Sequence, residues 1–128
     1  MTTSENVLET LGRQRAVVLE TRKRDGTWVA TPVSIVVAGG RAFFRTYDAS
    51  GKAKRLRNFP EVRVAPGTLR GRPTGPAVPA TTRLLDDDEA VPVRALLAAK
   101  HPLLHGRLVP AMHRRKGWRT LHYELELR

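Results

Sequence analysis

The chain has 128 residues, a formal net charge of +11 at pH 7 and no cysteine. That length suits one hydrophobic core, and the absence of thiols removes disulfides, thiolate metal sites and cysteine nucleophiles from consideration. Arginine supplies more of the positive charge than lysine, and its planar fork suits phosphate or carboxylate, so an anionic partner is expected.

No stretch approaches the roughly 20 apolar residues of a membrane span, and Met1–Thr10, with Glu5 and Glu9, lacks an apolar run of signal length. The expectation is a soluble cytoplasmic protein of a single domain, residues 1–128, with no membrane partner.

Ser4 before Val7, Leu8 and Leu11, with Gly12 after them, predicts a short N-capped helix closed by glycine. A first strand, Ala16-Val17-Val18-Leu19, runs through Thr21-Arg22-Lys23-Arg24 to Asp25-Gly26. The second extends from Trp28 to Val37. Asp-Gly between β-rich runs predicts a hairpin with both central residues at positive φ. Gly39-Gly40 offers another such turn before the third strand, Arg41–Thr46, giving a meander of consecutive neighbours. Pro32 cannot donate to a ladder and marks an edge, a bulge or an opening where a ligand enters.

Lys52 to Asn58 has Ala53 and Leu56 at helical spacing and is closed by Phe59-Pro60. Strands follow at Val62–Pro66 and Ala77–Leu85, separated by turn-rich residues Gly67 to Gly75. Asp86–Glu89 complements the start of a helix over Ala90–Lys100, with Val91, Leu96 and Leu97 facing the core. His101–Lys116 contains Pro102 and Pro110 and reads as broken helix or loop. Thr120–Leu127 alternates cleanly as the last strand. Six strands with few helices imply a mainly β, six-stranded antiparallel barrel.

The most informative stretch is Phe43 to Pro60, which passes from a strand through Ser50-Gly51 into a helix. Unpaired N–H groups at a helix start, hydroxyls from Thr46 or Ser50 and the charge of Lys52 together suit a phosphate. The competing reading is that Ser50 only caps a helix whose bases form a solvated face.

Ser50-Gly51-Lys52-Ala53-Lys54-Arg55-Leu56-Arg57-Asn58, followed by Val62–Pro66, resembles the pyridoxamine 5′-phosphate oxidase-like split-barrel superfamily, which is FMN-binding-like in fold. With Val29–Val33, Val64–Pro66 and Arg70–Pro76 it is similar to a branch of small actinobacterial proteins that use the deazaflavin coenzyme F420 in place of FMN.

The resemblance implies an oxidoreductase that reduces a small organic acceptor, acting as a homodimer with cofactor clefts at the subunit interface. It implies that Lys52 and its neighbours Gly51, Lys54 and Arg55 meet the cofactor phosphate, and that Thr46 and Ser50 offer hydroxyls. Thr31, Pro32 and Val33 would border the ring, and Ala65 and Pro66 would line the cleft wall. The cofactor carries the hydride chemistry in such a protein, so no residue is named as catalytic. An FMN protein of the same fold and a non-catalytic cofactor carrier are the alternatives.

Trp28 and Trp118 are candidates to stack on a planar ring, Trp118 the better because it flanks the last strand beside bases, although packing is the commoner fate of tryptophan. His101 and His105 have metal-ligand spacing, but Pro102 intervenes, and no metal site is expected. Asp86–Glu89 is read as a helix-start charge complement. The rival from another class is a basic barrel tracking nucleic acid; only 5% of residues are aromatic and the bases form no stripe, which disfavours it.

Overall fold

The computed structural model describes residues 3–102 and 109–128. In chain order the elements are α1 (Thr3–Gly12), β1 (Ala16–Arg22), β2 (Trp28–Val33), β3 (Ile35–Ala38) and β4 (Arg41–Tyr47), then α2 (Gly51–Asn58), β5 (Glu61–Gly67) and β6 (Val78–Leu84), then α3 (Asp87–Lys100), α4 (Val109–Lys116) and β7 (Thr120–Leu127). No helix among the described residues is long and apolar enough to cross a membrane.

All seven strands form one antiparallel sheet in the order β2-β1-β5-β6-β7-β4-β3. This corrects the expected six. The segment predicted as one strand breaks at Ser34, and its halves occupy opposite edges of the sheet, β2 beside β1 and β3 beside β4. The expected three-strand meander is therefore two hairpins, not one. A single residue joins the edges, so the sheet must curl until they converge there, as a split barrel does. Pro32 sits on the edge strand, where a missing N–H costs least.

The two turns differ. Gly39 and Gly40 both take positive φ, as a two-residue hairpin requires. Among the described residues no non-glycine has positive φ, so Asp25-Gly26 is a longer turn: Gly26 N–H donates to Lys23 O at 3.0 Å, and the Asp25 carboxylate accepts from Thr27 N at 2.9 Å.

Alternation places Val17, Leu19, Val33, Phe44, Val64 and Leu125 inside the curled sheet. Helix α1 begins at Thr3, so Ser4 lies within it and not at its cap; Leu11 closes the end of the barrel near Pro66 and Val78. At the opposite end of β1, α2 packs Ala53 and Leu56 inward. Helix α3 lies outside and covers Val36, Phe43 and Leu85 with Val93 and Leu97. Val91 is 57% exposed, contrary to expectation, because Val93 and Leu97 share one face and Val91 lies across the helix. Within the segment expected as broken helix or loop, residues 109–116 are helical, Pro110 among them. His105 lies outside the described residues.

Candidate functional site

Helix α2 is placed by both caps and packing. Ser50 adopts extended backbone, and its Oγ accepts from Ala53 N at 2.9 Å. The same Oγ lies 3.1 Å from Thr46 Oγ1, tying the helix start to the end of β4. Ser50 is thus a cap, and capping leaves the Thr46–Ser50 hydroxyl pair beside the first turn. With Ala53 and Leu56 turned inward, the basic residues occupy the remaining surface.

The charges at the two main helix starts are opposite. Asp86 and Glu89 form a reciprocal capping box at α3, with Asp87 and Asp88 beside them, which fits the charge-complement reading of this cluster. The first turn of α2 carries no acid and instead presents Lys52 and Lys54. Burial, with the nearby Arg55 adding to it, pushes the Lys52 ammonium down to about 8. Among the described residues no carboxylate pairs with Lys52, although seven ion pairs occur elsewhere on them. A buried cation without a counter-charge is unfavourable alone and favourable once an anion arrives.

Arg55 reaches back along the helix. Its Nε donates to Thr21 Oγ1 at 2.6 Å, and a Cβ built on Gly51 would lie 2.9 Å from its Nη1. Arg55, Gly51 and Lys54 line a cleft of about 270 Å³ whose far wall is Arg22, Lys23 and Arg24 of the β1–β2 turn. Thr21 and these three bases escaped sequence reading because a basic run in a hairpin looks like a solvated turn.

Thr46, Ser50, Gly51, Lys52, Lys54 and Arg55 therefore gather at one end of the barrel. Trp118 adjoins them indirectly: it stacks on Tyr47 with centroids 4.1 Å apart, and Tyr47 O accepts from Ser50 N. The remaining predicted residues lie apart within one chain. Thr31 and Val33 pair with Leu19 and Val17 and face the interior, where Thr31 Oγ1 is buried with no hydrogen-bond partner among the described residues. Pro32 is exposed on the edge. Ala65 pairs with Val18, and Pro66 borders the opposite end of the barrel beside Leu11. Trp28 lies under Arg63 at 4.3 Å and Arg22 at 5.9 Å, which occupies it in cation–π contacts.

No protein-family profile matches the chain, and no curated protein matches it. Solved structures do. The heme storage protein HutZ of Vibrio cholerae superposes with a TM-score of 0.70 at 12% identity, covering 100% of this chain and 92% of its own. A Listeria innocua protein assigned to the pyridoxamine 5′-phosphate oxidases gives 0.65 at 15% identity, covering 98% and 94%. An FAD-binding protein of Mesorhizobium loti gives 0.66 at 12%, covering 99% and 91%. An Agrobacterium tumefaciens protein of unknown function gives 0.74 at 17%, and this chain spans only about half of it, 53%. The chain thus shares the split-barrel fold of these proteins, which by name are a heme storage protein, a pyridoxamine 5′-phosphate oxidase and an FAD-binding protein.

Proposed function

We propose that the protein is an oxidoreductase that binds a phosphorylated flavin-type cofactor, the deazaflavin coenzyme F420, with its phosphate at the start of α2. The observation that carries this reading is the acid-free first turn of α2 on a split-barrel scaffold, with the partly buried Lys52, which no described carboxylate pairs, two residues after the Ser50 cap that meets Thr46. Those residues fit a phosphate: Lys52 supplies a charge, the first-turn amides supply donors, and both hydroxyls have a free lone pair or proton.

When bound, the deazaflavin supplies a carrier of hydride for a small organic acceptor. The chain's share is to bind and orient. Lys52 and the helix start fix the phosphate end, and the stacked Tyr47–Trp118 pair at the end of β4 offers an aromatic face next to the Ser50 cap. The motif resemblance also implies a homodimer in which a second copy of the chain completes each cleft, and Pro32, exposed on the edge strand, is free to face it.

The preference for coenzyme F420 rests on the motif resemblance; the Mesorhizobium loti FAD-binding relative in fold favours FMN or FAD as the second reading. Fluorescence titrations with coenzyme F420, FMN and FAD, and an absorbance titration with hemin, separate these. Micromolar quenching of coenzyme F420 with weaker binding of the others is the expected result. Binding of hemin alone would sink the proposal.

A further inference from the structure

The hydroxyl of Thr21 sits at the end of β1, on the interior face of the sheet, and is 0% exposed. A threonine there normally satisfies itself on backbone, yet this one accepts from Arg55 Nε at 2.6 Å across 34 residues of sequence. That bond holds the base of a long, entropically costly side chain in one rotamer. Held there, the guanidinium lies over Gly51, the one position in the first turn where no side chain obstructs it: a Cβ would stand 2.9 Å from Nη1. The guanidinium then lines the cleft shared with Lys54 and the Arg22-Lys23-Arg24 turn, and no acid is among its described lining residues.

We propose that Thr21 is a positioning residue, and that Gly51 leaves the space it needs, so that Arg55 is fixed as the guanidinium wall of this cleft for a phosphate-type oxyanion. The inference rests on the phosphate reading of α2 and adds to it the residue that sets the fork. Arg is suited to the task because one N–H edge can be spent on an anchor while the other remains for the ligand. A guanidinium anchored in advance loses less freedom on binding than a mobile one, so the anchor raises affinity without touching the anion.

The test is a phosphate titration of the full chain at constant ionic strength, followed by amide shifts of Gly51–Lys54 and by the Arg55 Nε–H resonance. Thr21→Val keeps the shape of the side chain and removes the acceptor; Thr21→Ser keeps the acceptor. Gly51→Ala leaves Thr21 intact and displaces the guanidinium, with little risk to a helix in which alanine is favourable. Thr21→Val and Gly51→Ala should each weaken phosphate binding five- to twenty-fold and shift the Nε–H signal, whereas Thr21→Ser stays within twofold of wild type. A purely structural threonine would lose stability in Thr21→Val but leave Gly51→Ala at wild-type affinity, and that result overturns the inference. If Lys52→Met loses phosphate while both variants bind normally, the positioning role fails and the cofactor reading stands. If the wild-type chain binds neither phosphate nor a flavin-type cofactor, both fail together.

Discussion

Lys52→Met separates stability from binding in a single variant. The ammonium is drawn from its ordinary 10.5 down to about 8, mainly by burial. A shift of that size corresponds to about 3 kcal/mol as an upper bound, and relaxation and water access reduce the recoverable part to about 1 to 3 kcal/mol. Methionine fills similar space without a charge, so the variant should be more stable than wild type at pH 7 by that amount in urea unfolding.

The sign of the pH dependence follows from linkage. Between about 8 and 10.5 the folded lysine has lost its proton while the unfolded one retains it, so wild-type stability rises across this window. The Met variant lacks this gain, and the gap between the two closes as pH rises. Cofactor affinity moves oppositely: loss of a charge-assisted bond should cost about 1.5 to 3 kcal/mol, roughly 10- to 150-fold. Wild-type affinity should also fall above pH 8 as the ammonium deprotonates, a trend absent from the variant. A variant equal in stability to wild type, with a gap independent of pH, would refute the buried, unpaired ammonium.

Other outcomes follow from the scaffold. Gly67→Ala should destabilise by about 1 to 3 kcal/mol in urea melts, because a Cβ would collide with Val18 Cγ2 and lie 2.9 Å from the backbone oxygen of Arg72. Glu124, held down to about 2 by hydrogen bonds from Arg41 and then Arg83, adds stability above the ordinary carboxylate range that is lost as pH falls toward 2; Glu124→Gln should flatten this acid limb by about 1 kcal/mol after solvent screening. Asp86→Ala removes the capping-box acceptor of Glu89 N and should cost about 1 kcal/mol in thermal unfolding. Sedimentation velocity at micromolar concentration should show a homodimer; a monomer that still binds coenzyme F420 tightly would contradict the shared cleft.

Much of the fold was legible because local chemistry and packing agree. Gly39-Gly40, the Asp86 cluster and the alternation of Thr120–Leu127 each predict the element found. The break at Ser34 was not legible: Trp28–Val37 is β-rich throughout, and only closure of the sheet decides that its halves join different edges. Val91 misled for a similar reason, since the apolar count of α3 does not say which side meets Val36 and Phe43.

For the candidate site, Ser50, Lys52 and Thr46 could be read from a strand, a turn and a helix start in sequence. Thr21 could not, because its partner Arg55 lies 34 positions away and only folding brings them together. Pro32, Ala65 and Pro66 came from family resemblance, and within one chain they face other surfaces than α2.

The central claim is the placement of the cofactor phosphate, and a crystal structure of the chain grown with coenzyme F420 tests it most directly. The account predicts the phosphate within hydrogen-bonding distance of Lys52 and the first-turn amides of α2, with the ring against a second copy of the chain. A phosphate bound elsewhere, with Lys52 still unpaired, would contradict it.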